Sequence, residues 1–115
     1  MGKGEGFEDL LVWQKSMDLV SVVYQICQKG ALAKDWGLRD QMQRAAVSVS
    51  ANIAEGYAQF LMIVKGSAGE LRCLLRIAER LQFIDSLSAD KLIGDITEVS
   101  RMLRGLVNAV RKSIS

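Results

Sequence analysis

Arg44, Ser48, Asn52 and Glu55 follow one another at spacings of four, four and three. On a helix turning about 100° per residue they fall, with Gln41 and Gln59, on a strip about 80° wide that borders an apolar face. A guanidinium, a hydroxyl, an amide and a carboxylate at such a border have two uses. They can hold a ligand or a nucleic-acid phosphate. Alternatively they satisfy one another as a polar network within a helix bundle or at a subunit contact, because a buried Arg or Glu is tolerated only when paired. An open solvent face would carry long charged side chains with less pattern, so the structural reading is favoured.

A second set is basic. Arg72, Arg76 and Arg80 recur every four residues, and Arg101, Arg104, Arg111 and Lys112 lie in a segment, 101–115, without one acidic residue. Stripes of this kind are what phosphate contacts require. Glu79 and Glu98 stand nearby and no aromatic residue is interleaved to stack on bases, so a solvated face competes with an RNA contact. "KGSAGE", 65–70, lacks the strand and the Gly-Lys-Ser/Thr order of a phosphate loop, and close helix approach at Gly66 and Gly69 accounts for it better. Glu70 and Glu79 are nine residues apart and form no close carboxylate pair.

The chain has no histidine and two cysteines. The commonest general base and metal ligand are therefore missing, and two separated thiols do not make a zinc site. No nucleophile, base and orienting group can be named together, so neither catalysis nor a cofactor is expected. Cys27 and Cys73 each fall on the apolar side of a helical pattern and read as two reduced core thiols rather than a disulfide.

Four amphipathic segments must position these groups. Leu10, Trp13, Met17, Val20, Tyr24 and Cys27 step by threes and fours, the seam a helix presents to a bundle, and Gly30 is its expected stop. "KGALAKD" then reads as a connection, and Asp35 as the cap of a second helix whose seam is Leu38, Met42, Ala45, Val49 and Ile53, ending at Gly56. A third seam, Leu71, Leu74, Ala78 and Leu81, opens on "FLMIV", which is apolar all round. A helix coated on every side asks for burial on every side, and a four-helix domain of this size has no room for it, so self-association is expected. Ser88 reads as the cap of the last helix, with Leu92, Ile96, Val99, Leu103, Leu106 and Val110 as its seam. The spacing predicts one all-α domain over 1–115, an antiparallel up-and-down four-helix bundle with helices near 8–29, 36–56, 60–84 and 89–113.

Composition agrees with that class. Half the residues are apolar and the net charge is +2, from 15 basic and 13 acidic residues, too balanced for a dedicated nucleic-acid binder. The longest apolar run, 60–64, is far short of the ~20 residues that span a bilayer. "MGKGEGFEDL" shows neither an export signal nor a myristoylation site, so a cytoplasmic protein with no membrane partner is expected.

The stretches "FEDLLVWQKSMDL", "GLRDQMQRAAVSVSANIAEG" and "FLMIVKGSAGELRCLLRIAERLQFI" resemble the bacterial four-helix bundle family named after the 23S ribosomal RNA intervening-sequence protein. The resemblance covers nearly the whole chain, with Phe7–Lys15, Gln43–Gly56 and Phe60–Leu71 as its most specific pieces. It implies an up-and-down bundle assembled into a homo-oligomeric ring, commonly a pentamer. Some members of that family are encoded within ribosomal RNA genes, and a distantly similar bundle is a nucleic-acid-binding accessory of a reverse transcriptase, so the resemblance also implies RNA as a partner. Two features depart from the pattern. "ALAKDWGL" has no proline before the second helix, and only "YAQ" stands where the family places about ten polar residues after Gly56. So short a join either reverses in a tight turn or fuses helices two and three into one rod that another chain completes.

Overall fold

The computed structural model describes residues 6–56 and 61–114. A 3-10 turn, Phe7–Asp9, leads into α1, Leu11–Ile26; a short α2, Gly30–Lys34, precedes α3, Trp36–Gly56; α4 is Leu61–Arg80 and α5 is Ser86–Ile114. The described residues contain no strand. The fold is all-α, a helical bundle. α1 packs on α3 and α5, and α4 packs on the same two, so α1 stands diagonally across from α4 and α3 from α5.

Polar pairs fix the directions. Ser50 donates to the Met17 sulfur at 3.1 Å, while Tyr24 shares a groove with Asp40, Gln43 and Val47, so α3 runs back along α1. Ser67 donates to the Ser48 oxygen at 2.8 Å, and Arg76 reaches Asp90 at 3.0 Å across α4 and α5. Because α4 folds back on α3, the single rod is not formed. The "YAQ" join itself, with Phe60 and Gln59, lies outside the described residues. Gly56 closes α3 at φ +152°, a backbone that only glycine adopts freely, which agrees with its reading as a stop.

The core runs through all four long helices. Met42, Ala45, Val49 and Ile53 of α3, Leu71, Leu74 and Ala78 of α4, and Leu92, Ile96, Val99 and Leu103 of α5 are buried on the expected seams. On α1 the seam is different. Val12, Ser16, Leu19, Val23 and Cys27 are buried, whereas Met17 and Tyr24 remain 41% and 38% exposed and Trp13 is half-buried. α1 is apolar around most of its circumference, so two neighbouring stripes satisfy the same three-four spacing. The slimmer one, containing Ser16, enters the core, and the bulkier aromatic one lies along the α1–α3 edge. Ser16 is tolerated there because its hydroxyl donates to the Trp13 carbonyl at 2.6 Å.

The ends of the helices hold further differences. "GALAK" is helical and places Leu32 fully in the core, with Gly30 at φ +56° admitting the chain; the segment packs rather than merely connecting. Asp35 does accept the Leu38 amide at 3.1 Å, as expected of a cap. The last helix is capped three residues earlier than predicted: Asp85 accepts the Ser88 amide at 2.6 Å, and Ser88 sits inside the first turn. α4 ends in a Schellman arrangement, Phe83 N–H to Ala78 O at 2.8 Å and Gln82 N–H to Glu79 O at 2.9 Å, with Gln82 at φ +64° where glycine is usual.

The two thiols have opposite surroundings. Cys27 is fully buried and burial pushes its pKa up to about 11, whereas Cys73 is exposed, contrary to the expectation of two core thiols. Both are free. The reactive species is the thiolate. Cys27 is therefore expected to resist a thiol reagent at neutral pH in the folded chain and to react only on denaturation, which mass spectrometry of the labelled peptides would show.

Ser100 presents a second prediction. Its hydroxyl oxygen is buried with no hydrogen-bond partner among the described residues. Losing that unmet group and gaining alanine's helix propensity both favour the folded state. Ser100→Ala is expected to raise stability by about 1 kcal/mol, or a few degrees in Tm by calorimetry; a lowered Tm would contradict it.

Candidate functional site

The α3 polar strip is only partly a network. Asn52 donates its amide to the Ser48 carbonyl at 2.8 Å and contacts the Ser48 hydroxyl at 3.2 Å, and Ser67 of α4 completes the cluster from across the seam. These three half-buried groups tie α3 to α4. Arg44 and Glu55 do not join them. Both are exposed, and neither has an ion pair or hydrogen bond among the described residues. Eleven residues of helix separate them by about 16 Å, beyond the reach of their side chains. The network expected from Arg44, Asn52 and Glu55 is thus replaced by a smaller hydroxyl-amide cluster that recruits Ser67. The signal for Ser67 lay in the sequence, since it borders the Val64, Ala68, Leu71 stripe just as Ser48 borders its own.

Outside that cluster, α3 and α4 enclose a shallow groove of about 480 Å³ lined by Gln41, Arg44, Ala45, Val47, Ser48, Ser67 and Glu70. Arg44 and Glu70 stand at the same level on its two walls without an ion pair between them. Apolar side chains stay open at the ends of α4, Met62 at 75% and Ile63 at 48% near its start and Ile77 at 41% near its end, and Leu81, expected on the buried seam, lies just past the helix and is 50% exposed because the chain turns away there. Gly66 lies on the outer side of α4 with nothing within 4 Å of the position a Cβ would take. The close helix approach expected of Gly66 and Gly69 does not occur within the chain; Gly69 meets only the Arg72 guanidinium, at 3.8 Å.

The basic residues divide into two groups. Arg76 is bound to Glu79 at 2.8 Å and to Asp90 at 3.0 Å, and Arg101 to Glu98 at 2.5 Å. These carboxylates neutralise much of the expected stripe. Arg80 is exposed at the far end of α4, beside Cys73 and Ile77. Arg111 and Lys112 lie at the opposite end of the bundle, in the last turn of α5. Between them, the Arg76–Asp90 pair sets the register of the α4–α5 seam: Lys65 lies eleven residues before Arg76 and Arg101 eleven after Asp90, so antiparallel packing brings them to one level. Arg104 is one turn further along α5 and Arg72 lies on the same flank of α4 as Lys65, so four basic side chains share this seam. Lys65 was missing from the sequence candidates because its partners are on another helix.

An open cavity of about 680 Å³ at the other end of the bundle is lined by Ile26, Lys29, Phe83, Ile84, Ser86, Ser88, Glu79 and Asp85. Its acidic groups are already engaged. The Arg76 guanidinium, then the Ser86 hydroxyl, hold the Glu79 carboxyl below the usual range; the Ser88 amide, then its hydroxyl and the Leu87 amide, do the same for Asp85. A carboxyl whose folded pKa is depressed contributes stability above its ordinary pKa of about 4 and loses it as pH falls through the folded value. Thermal stability is expected to fall below about pH 4, and Asp85→Asn to flatten that slope in a Tm-against-pH series.

Among the described residues no group of three or more His, Cys, Asp or Glu side chains can hold a metal ion, and no helix is long and apolar enough to cross a membrane. In comparison with known proteins, the family described as 23S rRNA-intervening sequence protein matches residues 8–105. No curated protein matches the chain.

Proposed function

The chain belongs to the 23S rRNA-intervening sequence protein family, and from that premise we propose that it is a non-enzymatic bundle protein that assembles with copies of itself into a ring, with five the number the resemblance implies. The observation that carries this reading is the apolar exposure at the ends of α4, where Met62 and Ile63 near its start and Ile77 near its end stay between 41% and 75% exposed on one chain. Large apolar side chains left open at neighbouring positions, as Met62 and Ile63 are, are what a monomer avoids and an interface uses. Gly66, open on the outer side of α4, adds support, because a mid-helix glycine costs up to about 1 kcal/mol relative to alanine and nothing among the described residues lies within 4 Å of the place its Cβ would take. Light scattering at micromolar concentration tests the reading. A mass several times 12.7 kDa is expected, and a mass of one chain rejects it.

The α4–α5 seam favours RNA contact as a second reading. Lys65, Arg72, Arg101 and Arg104 make a short basic surface that phosphates fit, although Arg101 already has Glu98 beside it. Titration of a structured RNA across a salt series would show affinity falling with salt, with a shallower slope for Arg72→Ala and Arg104→Ala. Absent or salt-insensitive binding rejects this second reading and leaves the first untouched.

A further inference from the structure

The open cavity of about 680 Å³ between the end of α1 and the α4–α5 turn falls within the range of about 300–1,000 Å³ that small-molecule sites occupy. The deeper part of its lining is apolar. Ile26, Phe83 and Ile84 are half-buried there and pack against the core, so a ligand resting on them would leave water without opening the bundle. The polar groups divide by what they already hold. The Glu79 carboxylate meets the Arg76 guanidinium at 2.8 Å and takes the Ser86 hydroxyl, and Asp85 takes the Ser88 amide and hydroxyl and the Leu87 amide. Lys29 and Gln82 are uncommitted: neither side chain has an ion pair or hydrogen bond among the described residues. The ammonium of Lys29 is thus the uncompensated charge of the described lining.

Both uncommitted groups are carried on fixed backbone. Lys29 is the extended residue between α1 and α2, and the fully buried Leu32 anchors α2 just after it. Gln82 is held at φ +64° by its own amide bond to the Glu79 carbonyl and by that of Phe83 to the Ala78 carbonyl, although glycine would take this conformation without strain. A left-handed residue whose side chain lines a cavity is a starting point for a functional assignment.

We propose that this cavity binds a small monocarboxylate with an apolar body, its carboxylate on the Lys29 ammonium and the Gln82 amide, and its apolar part on Ile26, Phe83 and Ile84. The rim also sets the charge of the ligand. Glu79 and Asp85 are held ionised at neutral pH by their own partners, so a second negative charge on the ligand is repelled, while a neutral ligand leaves Lys29 unmet. The site draws on neither the start of α4 nor the basic α4–α5 seam, so it stands whatever the mass of the protein in solution and whether or not RNA binds.

Amide NMR of the full chain titrated with benzoate tests the assignment. Saturable shifts are expected at Lys29, Gln82, Phe83 and Ser86, with benzyl alcohol and inorganic phosphate each weaker by about tenfold or more. Lys29→Gln should weaken benzoate to the same extent at an unchanged Tm, because Lys29 is exposed, and Lys29→Arg should keep it. Gln82→Gly separates a binding role from a structural one: binding should weaken several-fold while Tm holds or rises, since glycine relieves the left-handed backbone. A Gln82→Gly chain that binds benzoate as well as the unaltered protein removes Gln82 from the site. No saturation, shifts confined to other parts of the bundle, benzyl alcohol or phosphate bound as tightly as benzoate, or full affinity in Lys29→Gln overturns the proposal.

Discussion

Replacing Leu75 by alanine is expected to lower the stability of the folded chain by about 2–5 kcal/mol. Leu75 is fully buried, and its helix packs on both α3 and α5. Truncation there removes apolar burial and leaves a cavity in the packed core. Helices held by close packing do not collapse freely into such a space, so both terms of the cost apply. Against a typical total of about 5–15 kcal/mol the loss is large, and it corresponds to a fall in Tm of roughly 10–20 °C. Leu87→Ala is the control. That leucine is 82% exposed, and its loss should change stability by less than about 0.5 kcal/mol. Denaturant titrations with unchanged slope would confirm that the difference lies in the native packing. Equal effects for the two variants would mean that the buried seam is misplaced.

The second large effect concerns mass rather than stability. On the proposed self-assembly, Met62→Asp combined with Ile63→Asp is expected to give single chains near 12.7 kDa while leaving the helical content in place. Both residues are exposed on one chain, Met62 by 75% and Ile63 by 48%, so the folded monomer loses little when they become polar. Buried against a neighbour, two carboxylates without partners would oppose association by several kcal/mol. Light scattering and thermal unfolding, measured together, separate the two outcomes. Retained assembly would show that the start of α4 is not an interface, and a collapse of Tm would show that it is core.

The seams of α3 and α5 could be read directly because their apolar residues form one stripe on an otherwise polar helix. α1 could not be placed to the right face. Leu11, Val12, Trp13, Met17, Leu19, Val20, Val22, Val23 and Tyr24 leave it apolar over several adjoining stripes, and spacing alone does not say which one is slim enough for the centre. Cys73 was misplaced by a misread angle: at about 100° per residue it falls nearly opposite the Leu71, Leu74, Ala78 stripe, on the outer side of α4, where it is exposed. Caps were legible in kind but not in position, since Asp85 and Ser88 both suit the role and only the path of the chain decides which residue is the last outside the helix.

For the candidate site, the sequence ordered the polar groups along α3 but carried no information on what faces them. Ser48 and Asn52 found Ser67, a residue nineteen positions after Ser48, whereas Arg44 and Glu55 found none within the described chain. The basic groups show the same limit. Arg76 and Arg101 were visible as cations, but Asp90, which neutralises Arg76, belongs to the next helix, and so does the surface that gathers Lys65 with Arg101. Periodicity along one helix reports which side is buried; it does not report the neighbour's register.

The order in which the helices pack bears on how the chain folds. The α1–α3 and α3–α4 contacts, and those of α4 with α5, join neighbours in the sequence or elements separated only by the short α2; α1 with α5 is the distant pair among the main contacts. Local pairings of this kind close small loops first and give fast folding. On a ribosome, α1, α3 and α4 would emerge and dock while the stripes of α1 and α4 that α5 covers are still open to water. Closure of the core therefore waits for α5, Ser86–Ile114, and a chain released before it would present two uncovered apolar stripes to its surroundings.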